Sequence, residues 1–413
     1  MLFEAILKTY LTSKRLRYVM ERYFQPSFNI NTEQECLKVM LFSEFPLSYP
    51  GGGERLIRLI YSHLSKLSAD VRIIENTNKE SPISATGQKL SLNIIRTKFK
   101  RFGFIKFLYQ DLPPLEVIPC DKNAVSLIFL RRVPPRTILR ILEKSNSKVV
   151  FCLHGMALEK LRIANPIIVA HQILMRMQLR SLAKYTRNHI FVQTLRPQVT
   201  SCLISHGADS LNIFTIENQF ESEVTFPERK DKEFQVTFIG RMEDLQKGIK
   251  RLKKVIQFVQ TSSKRIKFNI IGIGKDSGIL NGLNGNVRVL NKIDDRRKNE
   301  ILASSNLALI TSTLEPYSLV VLEFLTSGVP VIATPTSGPS YILGKDPSFG
   351  KVVSFNAKSL AMSIAGYYKE WEKDKELYFS KRKDLYHMAR EIVNSQKMLQ
   401  SYENMVIQVA AKN

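Results

Sequence analysis

The sequence predicts two doubly wound α/β domains in tandem, joined by a linker and followed by a helical segment. Three observations predict it. Short runs of apolar and β-branched residues alternate with helix-length amphipathic stretches from about residue 37 to residue 355, the pattern of parallel strands covered by helices. The alternation is interrupted by the polar stretch ESEVTFPERKDKE at residues 221–233. The chain is also 413 residues long, more than one hydrophobic core usually organises.

Taken in order, residues 1–35 read as a basic amphipathic extension, with Leu2, Phe3, Ile6, Leu7 and Tyr10 on one side. Residues 36–218 form the first domain, with strands expected in LKVMLFSEF, VRIIEN, AVSLIFL, KVVFCLHG, HIFVQT and LNIFTIEN. A linker covers 219–233. Residues 234–385 form the second domain, with strands expected in QVTFIG, KFNIIGIG, VRVLNKI, LALITS, VPVIATP and KVVSF. Beyond residue 356 the pattern is helical throughout. In the closing segment, 386–413, Leu399, Tyr402, Met405, Val406 and Val409 recur at spacings of three and four. Such a face must be buried, and the expected place is against the first domain.

Apolar residues make up 44% and charged residues 24% of the chain, a globular composition that excludes collagen, coiled coils and disordered tails. The greasy run LALITSTLEPYSLVVLEFL is cut by Glu315 and Glu323, so no membrane-spanning helix is expected. The formal charge is +24, and residues 1–200 carry +17 of it, with 31 Lys and Arg against 14 Asp and Glu. A field of that sign attracts anions. RTKFKRFGFIKFLY, LRRVPPRTILR and MRMQLRSLAKYTRNH interleave basic and apolar residues, which makes an anionic membrane surface a candidate partner. The alternative is helices that pack their apolar faces on their own sheet and show charge to water.

Cys36, Cys120, Cys152 and Cys202 lack metal-ligand spacing and read as reduced core residues. The first residues do not resemble a secretory signal. A reducing, cytoplasmic location follows, with docking on the cytoplasmic face of a membrane as an option.

The stretch from Leu307 to Pro339 carries the most chemistry. Glu315 falls in a loop at the carboxyl end of a strand, where open α/β sheets bind ligands, and Glu323 about two turns into the following helix. The helix start presents the backbone N–H groups of Tyr317, Ser318 and Leu319 to an anion. Gly51, Gly52 and Gly53, after the first strand, let a ligand approach the backbone. His154 closes another strand. Asp294 and Asp295 read as helix-start acids. IIGIGKDSG lacks dinucleotide spacing, which argues against NAD, and no Asp-x-Asp motif suggests a metal.

In this order the motifs LKVMLFSEFPLSYPGGGE, VVFCLHG, IFTIEN, FIGRMEDLQKG, IIGIG and EPYSLVVLE resemble the retaining, nucleotide-sugar-dependent glycosyltransferases of family 4, over about residues 36–410. The resemblance implies the GT-B fold, two Rossmann-like domains facing a central cleft. It implies that Arg241 and Lys247 grip the donor diphosphate, that Glu315 contacts the donor sugar and Glu323 the ribose hydroxyls, and that His154 faces the reaction centre. Gly52, Gly53, Tyr317, Ser318 and Leu319 would complete the donor site. No metal or other cofactor is implied; fixed cations would stabilise the departing diphosphate. Ser318 stands where the family commonly has Gly, Ser337 replaces the first of a Gly pair, and Gln219 also replaces a Gly. The expected activity is transfer of a sugar from a nucleotide-sugar to a glycan or lipid-linked hydroxyl, with retention at the anomeric carbon. A nucleotide-sugar epimerase, a catalytically silent homologue and a basic protein binding nucleic acid or another anionic surface are the alternatives. Nucleic acid is not the expected partner, since the basic residues lack a stripe of interleaved aromatics.

Overall fold

The computed structural model describes residues 37–412 apart from 48–51, 68, 77–93, 99, 103–109, 122, 131, 135, 160–165, 228–232, 264, 284 and 292. The extension expected over residues 1–35 lies outside the described residues. The chain divides into two compact units. The first spans Met1–Met156, Ile163–Glu217 and Leu399–Asn413, and the second spans Ala157–Arg162 and Asn218–Met398. Residues 386–398 therefore fall with the second unit, and so does a short excursion from the first half of the chain.

In the first unit the strands are β1 (Leu37–Ser43), β2 (Ala69–Asn76), β3 (Ile94–Thr97), β4 (Lys100–Phe102), β5 (Gln110–Leu112), β6 (Ala124–Leu130), β7 (Lys148–Leu153), β8 (Ile190–Thr194) and β9 (Ile213–Thr215). The helices are α1 (Gly52–Leu64), α2 (Arg136–Lys144), α3 (Pro166–Ala183) and α4 (Pro197–Ile204). Seven strands form a parallel sheet in the order β3-β2-β1-β6-β7-β8-β9, while β4 and β5 pair antiparallel apart from it. Every residue of β6 and of β7 is buried. That is the consequence of continuous apolar runs covered by helices on both faces.

The second unit holds β10 (Phe234–Ile239), β11 (Ile266–Ile271), β12 (Val287–Leu290), β13 (Leu307–Ile310), β14 (Val331–Ala333) and β15 (Gly350–Val352). Its helices are α5 (Asp244–Lys247), α6 (Ile249–Ser262), α7 (Asp295–Ser304), α8 (Leu319–Leu325), α9 (Ser337–Leu343), α10 (Ala357–Lys373) and α11 (Lys375–Ile392). The sheet order is β12-β11-β10-β13-β14-β15, all parallel. Strand order reverses between β10 and β13, and at such a switch point the loops leave in opposite directions and open a crevice at the strands' carboxyl ends. In the first unit the reversal falls between β1 and β6.

The second core forms because α6 repeats its apolar residues at helical spacing and buries Ile249, Leu252, Val255, Ile256 and Val259. They pack with Phe234, Val236 and Phe238 of β10 and with Leu360, Ile364 and Trp371 of α10. Each such aliphatic side chain contributes about 1.5–3 kcal/mol by leaving water. Helix α12 (Ser395–Ala411) closes the chain. Its Tyr402, Met405, Val406 and Val409 are buried, and the helix belongs to the first unit from Leu399 on.

All twelve expected strands are present. β3, β4 and β5 were not anticipated, because they are three or four residues long and carry charge. Of the cysteines, Cys152 is buried, Cys202 is intermediate and Cys120 is exposed. Cys120 therefore departs from the core reading. It lies in the turn PCDKN before β6, outside the buried run of that strand.

Candidate functional site

β10 runs out into Gly240, Arg241 and Met242 and then into the single turn α5. Asp276 accepts from the Asp244 N–H at 2.7 Å and secures the start of that turn. Gly248 ends it in a left-handed conformation, φ 67°. Only glycine fits there, because a Cβ would stand 2.3 Å from the Thr311 carbonyl oxygen. Thr311 donates its hydroxyl to the Lys247 carbonyl at 2.8 Å, and the Thr313 N–H donates to the Gln246 carbonyl at 2.7 Å. The loop after β13 is thus stitched to α5 across the switch point.

This stitching brings Lys247 and Glu315 together. The Lys247 ammonium donates to the Glu315 carboxylate, and both side chains are largely buried. Ser312 donates its hydroxyl to the same carboxylate oxygen at 3.1 Å. Arg241 stays half-exposed. Its guanidinium donates to Gln246 Oε1 at 2.8 Å and lies 3.5 Å from Glu243. The two cations expected for a diphosphate therefore differ: Lys247 is engaged and sheltered, whereas Arg241 faces solvent.

Tyr317 is buried beneath the loop, and Ser318 precedes α8 with φ 85° and ψ 81°. That is a conformation glycine adopts freely and serine adopts at a cost. Leu319 opens the helix, and Glu323 is the fifth of its seven residues rather than two turns in. Lys298 of α7 donates to Glu323 Oε1 at 3.1 Å and also lies 3.5 Å from Asp295. Asp294 caps α7 by accepting from the Arg297 N–H.

A residue absent from the sequence reading joins this group. Glu159 accepts from the Ser337 N–H at 2.8 Å, the Ser337 hydroxyl at 3.0 Å and the Glu315 N–H at 3.3 Å. Its signal was isolation: it is the only acid in residues 144–208. The loop before α8 and the start of α9 also touch directly, where the Gly338 N–H donates to the Glu315 carbonyl at 2.9 Å.

In the first unit, Gly52 and Gly53 open α1, both are exposed, and nothing lies within 4 Å of a Cβ placed at Gly53. Gly51 lies outside the described residues. His154, just past β7, is partly buried, with its Nε2 at 3.1 Å from both Gln193 Oε1 and the Tyr402 hydroxyl. The Gln193 amide nitrogen donates to the Thr194 and Ile216 carbonyls at 2.8 Å each. That fixes Oε1 as the group facing the imidazole, so Nε2 carries the proton and donates to it. Burial pushes the imidazole pKa down to about 4, against the opposing pull of the Gln193 hydrogen bond. His154 is therefore neutral near pH 7, with Nδ1 as its acceptor atom.

The basic segments show what their apolar residues do. Val133, Pro134, Ile138 and Leu139 are buried, as are Leu174, Met175, Leu179 and Leu182, while Arg136, Arg140, Arg180 and Arg187 are exposed. Most of RTKFKRFGFIKFLY lies outside the described side chains. Among the described residues, no helix is long and apolar enough to cross a membrane.

Residues 220–384 match the family model described as Glycosyl transferases group 1. A phosphatidyl-myo-inositol mannosyltransferase of Propionibacterium freudenreichii subsp. shermanii is 30% identical over 99 residues, 24% of this chain and 25% of that protein. The chain spans about half the length, or less, of the curated relatives it matches. Among solved structures, the sucrose-phosphate synthase of Thermosynechococcus elongatus superposes with a TM-score of 0.67 at 15% identity, covering 91% of this chain and 100% of that one. The Anabaena protein HepE, in complex with UDP and glucose, superposes with a TM-score of 0.63 at 15% identity, covering 90% and 99%. The architecture is that of the GT-B fold, with a helical C-terminus.

Proposed function

On the premise that residues 220–384 belong to the group 1 glycosyl transferases, we propose that this chain moves a sugar from a nucleotide-sugar to a hydroxyl acceptor, with retention at the anomeric carbon. The observation that carries the reading is the Lys247–Glu315 pair at the β10/β13 switch point, with Arg241 beside it and Glu323 in the next helix. As the sugar–phosphate bond breaks, negative charge grows on the leaving diphosphate. Arg241, half-exposed and forked, suits a bidentate grip on it, and Lys247 supplies a point charge. The N–H groups of Tyr317, Ser318 and Leu319 add backbone donors. Glu315 accepts from sugar hydroxyls, taking them in exchange for part of its bond to Lys247. Glu323, held by Lys298, accepts from the ribose hydroxyls. Gly52 and Gly53 admit phosphate or sugar close to the backbone, and neutral His154 offers Nδ1 as an acceptor.

UDP in the HepE complex makes UDP-sugars the first donors to try. The acceptor in this reading is a growing glycan or a lipid-linked sugar, reached from the cytoplasm. The mannosyltransferase match to a phosphatidyl-inositol enzyme and the +17 charge of residues 1–200 support the lipid option. Incubation with a panel of nucleotide-sugars, with and without glycan and lipid acceptors, should release nucleoside diphosphate. Arg241→Ala should lower kcat about a hundredfold, with little change in KM. No release across the panel, or undiminished release by Arg241→Ala, would overturn the assignment. In parallel, vesicle sedimentation should show binding that needs anionic lipid and fades as salt rises.

A further inference from the structure

Glu159 is 5% exposed, yet it carries a carboxylate that the catalytic scheme above does not use. A buried carboxylate persists where donors repay its desolvation, and the donors here are the Ser337 N–H and hydroxyl and the Glu315 N–H. One side chain therefore grips both the loop that follows β13 and the first residue of α9. The Glu315 backbone is held on both sides, its N–H by Glu159 and its carbonyl by the Gly338 N–H at 2.9 Å. Its carboxylate is held separately by Lys247 and Ser312. Gly338 leaves no slack in this arrangement, because its Cα packs against the Tyr317 backbone, where a Cβ would meet the carbonyl oxygen at 2.2 Å.

We propose that Glu159 is a positioning residue: it clamps the loop before α8 to the start of α9 and thereby fixes the backbone that presents Glu315. The proposal rests on the reading that Glu315 meets the donor sugar. A group acting on a reacting sugar must sit within about 0.5 Å of its productive place, and a misplacement of about 1 Å costs on the order of a hundredfold in rate. Glu159 does not touch substrate in this scheme. It acts through the main chain of Glu315.

The test compares the full chain with Glu159→Ala and Glu159→Gln by amide hydrogen exchange, nucleotide-sugar turnover and calorimetric titration with UDP. In Glu159→Ala, exchange in peptides spanning 312–318 and 334–340 should quicken about tenfold or more, while peptides from β10 and β11 stay as in the parent. Turnover should fall about ten- to a hundredfold, by a clearly larger factor than the affinity for UDP, which also draws on Arg241, Lys247 and Glu323. Glu159→Gln, which keeps one oxygen for the Ser337 N–H, should lie between the two. Unchanged exchange in those peptides, or quickened exchange with full kcat, would overturn the proposal. A merely structural residue would lower the melting temperature without this split between kcat and UDP affinity. If Glu159→Ala does not fold, Glu159→Gln carries the same measurements. A well-folded parent that turns over no nucleotide-sugar sinks the donor reading instead, and the exchange arm then decides by itself whether Glu159 holds Glu315.

Discussion

At the scale of the residue, His154 illustrates how surroundings settle a side chain's chemical form. Its imidazole is enclosed by Phe129, whose ring lies edge-on at 5.1 Å, by Gln193 and by Tyr402. Burial lowers its pKa from 6.5 to about 4, and His171 is lowered to about 4 as well, by burial and the Arg132 charge. The unfolded chain therefore binds protons that the folded chain refuses between those values. Stability from this source is complete above pH 6.5 and is lost as the pH falls toward 4. Urea unfolding from pH 7.5 to pH 4 should show that decline in the parent. In His154→Gln the decline should be shallower, with His171 left to supply the rest. Equal slopes for parent and variant would refute the buried neutral imidazole.

At the scale of the element, the starts of α8 and α9 make opposite demands. Ser318 holds φ 85° where the side chain makes no capping bond, so its Cβ contributes strain of about 1–2 kcal/mol without return. Ser318→Gly should raise stability by about 0.5–1 kcal/mol after the extra entropy glycine loses on folding, read as a higher urea midpoint at unchanged slope. Gly338→Ala should do the reverse. The added methyl has a main-chain oxygen in its way, and the backbones must part at a cost of about 1–3 kcal/mol. Because that parting moves Tyr317 and Glu315, turnover in Gly338→Ala should fall by more than its loss of stability explains. A Gly338→Ala protein as stable and active as the parent would show that the loops can separate freely.

For the molecule as a whole, the last helix matters more than its position in sequence suggests. From Leu399 it belongs to the first unit, where Tyr402, Met405, Val406 and Val409 are buried. Glu403 pairs with His63 at 2.8 Å, and the Lys148 ammonium donates to the Ala410 carbonyl at 2.5 Å. At about 1.5–3 kcal/mol for each buried apolar side chain, deleting residues 399–413 removes more than a marginally stable unit can spare. Calorimetry of the deletion should show the first unit's transition lowered sharply or lost, with the second unit's retained. Two undisturbed transitions would mean that the helix is dispensable to that core.

Sequence pattern is enough to give the two-sheet architecture, because strands buried on both faces must be continuous apolar runs and these stand out in every segment from LKVMLFS to KVVSF. It also determined which residues stand at the carboxyl ends of β10 and β13, since strand ends follow from where the runs stop. The place of Glu315 was legible for that reason, whereas the roles expected of Glu315, Glu323, Arg241 and Lys247 came from the resemblance to the family 4 glycosyltransferases. Pairings between distant residues were not, for local pattern carries no record of what lies across a sheet. Folding alone revealed that Lys247 binds Glu315, that Lys298 holds Glu323, that Gln193 sets the tautomer of His154, and that Glu159, within the second unit, grips Ser337. These contacts join residues 25 to 178 positions apart. Each forms because a buried charge or polar group must find its partner wherever the chain has folded to bring one.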